Sequence, residues 1–290
     1  MGDVETEYSR WGTPRRVDLD GFLALDRLDS GLVVIEHGGL DLPMLVTNRG
    51  AGASFIGFHA AMNPEKRRAL PFFQGRGIAP KALNTVLLSD PSLALHDDVR
   101  VGWFFGNRRF PLLTLLPAIL DHLDRLMGAD RRLLWGCSAG GTAALRYARD
   151  SDVAVAINPQ TVIASFTRGR WQPWLEHGWG ITGREAEQAW LADHGDLRGM
   201  GLKGRILYVQ NIHDDHVARH MHPLLSAMGV PAEAGDHGRV RVLLGDWGPG
   251  HVPPPAPEQA ALLAAEAELL ASPAGPTATL TRLARRLIGR

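Results

Sequence analysis

Continuous apolar runs alternate with amphipathic segments along most of the chain. Such runs are typical of strands that are buried on both faces of a parallel sheet. They predict strands at residues 53–58, 84–91, 133–135, 153–159, 205–210 and 240–246. Two further runs, 32–36 and 44–47, flank Gly38-Gly39 and predict an antiparallel pair at one edge.

Helical spacing is clearest at residues 112–127, where Leu115, Ile119, Leu123 and Met127 fall on one face. Further helices are predicted at residues 185–192, 257–270 and 277–290. Helices that alternate with buried strands are the crossovers that a parallel sheet requires. We therefore predict an α/β fold, a mostly parallel central sheet flanked by helices, that forms a single domain over residues 1–290.

The periodic pattern loosens between residues 160 and 203, after the sixth predicted strand. This stretch contains four of the eight tryptophans, among them Trp171 and Trp174. A cap or lid over a pocket would use such flat aromatic surface to bind acyl chains or sugar rings, so both tryptophans are predicted substrate contacts. The alternative is that these aromatics only fasten an irregular segment to the body.

Composition narrows the classes of partner. Acidic and basic residues balance at 31 each, which argues against nucleic acid and anionic membrane surfaces and favours a small molecule. A single cysteine excludes an internal disulfide, and the polar first residues lack the features of a signal peptide, so we expect a cytoplasmic protein. No apolar run has the twenty or so residues of a membrane span. The zero formal net charge is compatible with a homo-oligomer.

The most informative motif is Gly136-Cys137-Ser138-Ala139-Gly140, which joins an apolar run to an alanine-rich segment. Two glycines allow a sharp turn from strand to helix that leaves the Ser138 hydroxyl exposed as a nucleophile. The amide of Ala139 at the start of the helix would stabilise an oxyanion. A structural glycine-rich turn is the alternative, and Cys137 is a less favoured nucleophile because it precedes the apex.

Two later segments supply partners for Ser138. Asp214 follows the strand at 205–210 at the position of a triad acid, with Asp215 as its rival. His251 follows a glycine after the last predicted strand and would act as the base. Alternatively, the carboxylates are solvated residues at a helix start and His251 is a loop histidine fixed by the prolines after it.

A histidine cluster raises the question of a metal. His216 and His220 would share one helix face at a spacing that can hold zinc. No HExxH motif and no cysteine pair accompanies them. We therefore predict neither a metal nor a cofactor.

Ser138, Asp214 and His251 occur in the order used by the α/β-hydrolase superfamily, which the chain resembles over residues 30–270. The resemblance implies a second oxyanion amide after the strand at 53–58, at His59, Ala60 or Ala61. Residues 208–214 and 250–254 are also similar to bacterial proteins of glycan or glycoconjugate assembly, including accessory secretion proteins that acetylate sugars.

These observations predict a serine-dependent acyl hydrolase or acyltransferase that forms an acyl-enzyme. The expected substrate is a small ester, thioester or O-acylated sugar. The alternative is a non-catalytic protein that keeps the fold and binds a glycan or a small apolar ligand, since fold alone does not prove chemistry.

Overall fold

A computed structural model describes residues 7–63 and 69–271 of the chain. Within these residues ten strands form one sheet. They are Arg15–Asp18 (β1), Gly31–His37 (β2), Leu40–Thr47 (β3), Ala53–Phe58 (β4), Asn84–Leu88 (β5), Arg131–Cys137 (β6), Val153–Ile157 (β7), Arg205–Asn211 (β8), Gly235–His237 (β9) and Val240–Gly245 (β10).

The strand order is β1-β2-β3-β5-β4-β6-β7-β8-β10-β9. All pairs from β5 through β4, β6, β7 and β8 to β10 are parallel. Antiparallel pairing occurs between β2 and β3, between β3 and β5, and between β9 and β10. The carboxyl ends of β6, β7, β8 and β10 therefore meet at one edge, where ligand sites of parallel sheets lie.

Seven α-helices accompany the described strands. They are Leu19–Leu23 (α1), Leu112–Met127 (α2), Ala139–Tyr147 (α3), Arg168–Trp174 (α4), Arg184–His194 (α5), His222–Ala227 (α6) and Ala256–Ala271 (α7). Helix α2 has the predicted bounds, and α7 agrees with its prediction to within one residue at each end. The helix predicted at 277–290 lies outside the described residues.

Helices cover both faces of the sheet, as the alternation within β6 illustrates. Leu134 points into the larger core, which contains the apolar faces of α2 and α3. Leu133 and Trp135 point to the opposite face, where they pack with Leu263 of α7. Each fully buried leucine stabilises the fold by about 1.5–3 kcal/mol relative to an exposed one. The predicted fold class is confirmed.

Two short edge strands were not predicted. β1 pairs with β2, and β9 pairs with β10. Both have only three or four residues and no apolar alternation, so the sequence gives little signal for them. Because β1 precedes the rest, the sixth predicted strand is β7, and the pair β2–β3 does not form the edge of the sheet.

The predicted insertion corresponds to residues 158–204, which connect β7 to β8. It contains α4, α5 and short turns, and its apolar side chains pack with Val99, Val101 and Trp103. Helix α4 was not predicted, because Gly169 and Pro173 interrupt its helical pattern. That this insertion acts as a lid stays a prediction. Within the described residues, no helix combines the length and the apolar character needed to cross a bilayer.

Candidate active site

Ser138 lies at the apex of the turn between β6 and α3. Its backbone has φ 55° and ψ −118°, a conformation that L-residues rarely adopt. The flanking glycines make the turn possible, since a Cβ on Gly136 would lie 2.2 Å from the carbonyl carbon of Gly140. The Ser138 amide donates to the Ile157 carbonyl at 2.8 Å, which fixes the turn against β7. The strained turn holds the serine at the carboxyl edge of the sheet.

Asp214 and His251 meet at this edge. The Asp214 Oδ2 atom lies 2.6 Å from His251 Nδ1 and is buried, whereas the imidazole is 41% exposed. Burial alone would raise the pKa of Asp214, but the hydrogen bond from His251 and the nearby ring and amide of His216 together lower it. Asp214 is therefore an ionised carboxylate that can hold one tautomer of His251.

The rival carboxylate lies elsewhere. Asp215 is exposed and pairs with Arg219 Nη1 at 3.1 Å, as expected for a solvated residue at a helix start. His213 is also exposed and pairs with Asp246 at 3.1 Å. Only Asp214 of the two adjacent carboxylates contacts His251 in the described part of the chain.

Ser138 and His251 line one cleft of about 520 Å³. No hydrogen bond joins the Ser138 hydroxyl to His251 or to another side chain within residues 7–63 and 69–271. In ligand-free enzymes the catalytic hydrogen bonds are often long and tighten when substrate binds. The structure thus places both groups at one cleft, with the contact between them unformed.

Two asparagines that sequence reasoning missed hold the His251 loop. Asn158, just after β7, has φ 43° and donates from Nδ2 to the Val252 carbonyl at 3.1 Å. Asn211, at the end of β8, donates from Nδ2 to the carbonyls of Gly248 and Gly250 at 2.8 and 2.7 Å. The sequence signal for both asparagines was a polar residue at the end of, or directly after, an otherwise apolar strand. Together the asparagines fix the loop on both sides of His251.

His216 and His220 lie behind the candidate triad. The ring of His216 is 4.3 Å from that of His251 and 4.5 Å from that of His220, measured between centroids. Burial lowers the pKa of both, that of His220 to about 3, so both rings are neutral at neutral pH. His216 and His220 therefore lie side by side, as predicted. His216 also contacts Asp214 and His251.

The predicted oxyanion donors are differently placed. Ala139 is the first residue of α3, where an amide has no acceptor within the helix. The Ala60 amide already donates to Gln74 Oε1 at 2.7 Å. Ala60 nevertheless lines the cleft, and the amides of His59 and Ala61 stay predictions. The His59 side chain is buried, and its Nε2 accepts from the Asp90 amide at 3.0 Å. Gln74 itself lines the cleft, so its side-chain amide is a donor that sequence reasoning missed.

The remaining cleft is mainly apolar. Ile78, Trp135, Cys137, Pro253 and Ala256 contribute to its walls, with Gln74, Asn158 and Gln259 as polar members. No lysine, arginine, aspartate or glutamate among the described residues lines it. The site therefore favours an uncharged, largely apolar group.

Trp171 and Trp174 are not at this cleft. Their exposed fractions are 1% and 0%, and they pack in a separate aromatic cluster. Each indole donates to a backbone carbonyl, Trp171 to Phe166 at 3.2 Å and Trp174 to Gly106 at 2.9 Å. The expectation that they contact substrate is corrected to the alternative role of fastening the insertion to the body.

Cys137 also lines the cleft, and its thiol donates to Gln259 Oε1 at 3.8 Å. Burial raises the pKa of this thiol to about 12. Because the thiolate is the nucleophilic form, Cys137 is inert at neutral pH. The geometry leaves Ser138 as the nucleophile candidate of the elbow.

Comparison with solved structures gives the fold a name. Esterase B from Lactobacillus rhamnosis, in a structure with a tributyrin phosphonate, matches with a TM-score of 0.52 and 15% identity over 84% of this chain and 88% of the other. TT1662 from Thermus thermophilus matches with a TM-score of 0.51 and 13% identity over 84% of this chain and 100% of the other. No protein-family model and no curated protein matches the sequence. Identities this low carry the architecture alone, and by that architecture the chain has the α/β-hydrolase fold.

Proposed function

We propose that the protein is a serine hydrolase that cleaves a small uncharged ester through an acyl-enzyme. The observation that carries the proposal is the 2.6 Å hydrogen bond between Asp214 and His251 at the cleft that also contains Ser138. A buried carboxylate, an exposed imidazole and a serine on a strained elbow are the acid, base and nucleophile that a serine hydrolase uses. The fold shared with esterase B is consistent with this chemistry.

In the proposed mechanism, Ser138 Oγ attacks the ester carbonyl carbon while His251 Nε2 takes the hydroxyl proton. Asp214 holds the proton on Nδ1 and stabilises the imidazolium that forms. His251 then gives its proton to the leaving alcohol, and the acyl group stays on Ser138. Water then attacks the acyl carbon while His251 takes its proton. The bond from the acyl carbon to Ser138 Oγ breaks, His251 returns the proton to Oγ, and the carboxylic acid leaves.

The developing oxyanion would be stabilised by the Ala139 amide and the side-chain amide of Gln74. The first lies at the positive end of α3, and the second is oriented because Gln74 Oε1 accepts from Ala60. Each such donor contributes about 3–4 kcal/mol to the transition state. In this proposal Gln74 takes the place of the Ala60 amide expected from the sequence, because that amide donates to Gln74.

The absence of charged lining residues among those described supports an uncharged acyl or alkoxy group, and the cleft volume suits a small ester. Acyl transfer to an alcohol or a sugar, the alternative from the sequence, would use the same acyl-enzyme and differ only in the acceptor. Thioesters would react by the same steps.

The test is labelling with a fluorophosphonate probe, with the modified peptide read by mass spectrometry. We expect labelling of Ser138 that disappears in Ser138→Ala and falls by at least about a hundredfold in His251→Ala and Asp214→Asn. Asp215→Asn is the matched control and should label at the wild-type rate, because Asp215 contacts Arg219 instead of His251. Folded wild-type protein that stays unlabelled would support the non-catalytic alternative.

A further inference from the structure

Three metal-binding side chains converge at the candidate triad. A nitrogen of His216, a nitrogen of His251 and a carboxylate oxygen of Asp214 all lie within 4.8 Å of one another. Two imidazoles and a carboxylate are a common ligand set for zinc. Zinc bound by three such ligands keeps a fourth position for water.

The surroundings of His216 favour ligation. Its Nδ1 lies 3.1 Å from the carbonyl oxygen of Asn158, to which it can donate a proton. That hydrogen bond selects the tautomer in which Nε2 carries a lone pair, as at metal sites where the second ring nitrogen is held by a backbone carbonyl. No hydrogen bond to Nε2 of His216 is formed by any part of the chain that the structure describes.

Asp214 is also oriented from behind. Its Oδ1 accepts from the His216 amide at 3.0 Å, which fixes the carboxylate while Oδ2 faces His251. Asp214 and His216 are buried, whereas His251 is 41% exposed. The exposed side of His251 gives an ion a path from solvent to the two buried ligands.

We propose that Asp214, His216 and His251 form an inhibitory site for a divalent transition metal ion such as Zn²⁺. The ion is a competing ligand and takes no part in the proposed hydrolysis. If it binds Nδ1 of His251, the ring proton moves to Nε2; if it binds Nε2, the lone pair of that atom is used. In both cases His251 cannot accept the proton of Ser138.

This inhibition rests on the proposed function, but metal binding does not. Binding is therefore measured first, by calorimetric titration of ZnCl₂ into wild-type protein in a buffer that does not chelate zinc. We expect one tight equivalent, with affinity at least tenfold lower in His216→Gln and His251→Gln. Both variants are checked by circular dichroism, and the exposed position of His251 makes its variant the safer one for folding.

The matched control is His177→Gln. His177 stacks on His96 with ring centroids 4.0 Å apart, and neither histidine lines the cleft. We expect zinc affinity in this variant to equal that of wild type. Absence of tight binding in wild type, or equal affinity in wild type, His216→Gln and His251→Gln, would overturn the proposal.

The second arm is an ester-hydrolysis assay with p-nitrophenyl acetate. Micromolar Zn²⁺ should inhibit wild type, EDTA should restore the rate, and His216→Gln should need at least tenfold more zinc relative to its own zinc-free rate. Inhibition that is equally strong in His216→Gln would contradict the assigned site. Zinc binding as described, in a protein with no esterase activity, would leave the metal site standing and count against the proposed function alone.

Discussion

Asn211 Nδ2 lies 2.7 Å from the carbonyl oxygen of Gly250, the residue that precedes His251. The same nitrogen donates to the Gly248 carbonyl at 2.8 Å, and the Asn211 Oδ1 atom accepts from the Trp247 amide at 3.3 Å. One buried side chain thus binds three backbone groups of the loop that carries the candidate base. Its position at the end of β8 connects this loop to the rigid sheet.

Asn211→Asp should displace His251 while the cleft walls remain in place. The carboxylate presents an acceptor where Nδ2 donated, so it repels the Gly248 and Gly250 carbonyls. Misplacement of a catalytic group by about 1 Å can reduce the rate by about 10²-fold. We expect kcat for ester hydrolysis to fall 10–100-fold with little change in KM.

Asn48→Asp is the matched control for this prediction. Asn48 also donates to a carbonyl, that of Leu28 at 2.8 Å, and its Oδ1 accepts from the Gly50 amide at 3.0 Å, but it lies away from the site. We expect the midpoint of thermal denaturation to change in both variants. We expect kcat to change only in Asn211→Asp. A rise in KM with no change in kcat would show that Asn211 shapes the cleft instead of positioning the base.

Local patterns predicted the parts of this site that depend on neighbours in sequence. The Gly136 to Gly140 turn and helix α2 follow from spacing alone, because close backbone approach and 3.6-residue periodicity are local constraints. The pattern favoured Asp214 and left Asp215 as a rival, and only the structure shows that Asp214 contacts His251 while Asp215 pairs with Arg219.

Other parts could not be read from the sequence because they join distant segments. The contact of Gln74 with Ala60 spans 14 positions, and that of Asn211 with Gly250 spans 39. Trp171 and Trp174 illustrate the converse, since an aromatic residue in an insertion suits a core as well as a binding surface. The sequence does not show which side chains of the insertion pack against the rest of the domain.

Gln74→Glu should separate the proposed oxyanion donor from the scaffold. Glutamate keeps an oxygen to accept from the Ala60 amide but loses the N–H donors and adds a negative charge near the oxyanion. We expect kcat to fall by about 10²–10³-fold. Gln259→Glu puts the same charge in the same cleft, and a much smaller loss there would show that the effect depends on the position of Gln74.

The elbow glycine Gly140 should not tolerate a side chain. A Cβ there would lie 2.3 Å from the Phe58 carbonyl oxygen, so the backbone of β4 or α3 must shift. We expect Gly140→Ala to lower the free energy of unfolding by about 1–3 kcal/mol. We also expect it to abolish probe labelling of Ser138.

Gly169→Ala is the control for steric conflict. Gly169 is exposed in α4, and a Cβ there would meet nothing within 4 Å. The helix should gain about 0.5–1 kcal/mol, since alanine loses less conformational entropy on folding. Chemical denaturation of both variants would contradict this account if Gly140→Ala were as stable as wild type.

Acid sensitivity should arise in part from His59. Burial lowers the pKa of His59 to about 4, although its hydrogen bond to the Ala60 carbonyl opposes the shift. The folded state therefore binds this proton less readily than the unfolded state, whose histidine titrates near pH 6.5. Between pH 6.5 and pH 4 the unfolded chain takes up the proton and the folded chain does not, so stability falls as the pH is lowered.

From pH 7 to pH 4.5 the contribution of His59 to this loss should be about 2–3 kcal/mol. His59→Gln keeps an acceptor for the Asp90 amide and does not titrate, so its stability should decline less over the same interval by about that amount. Urea denaturation at a series of pH values measures the difference, and parallel curves for His59→Gln and wild type would contradict the assignment.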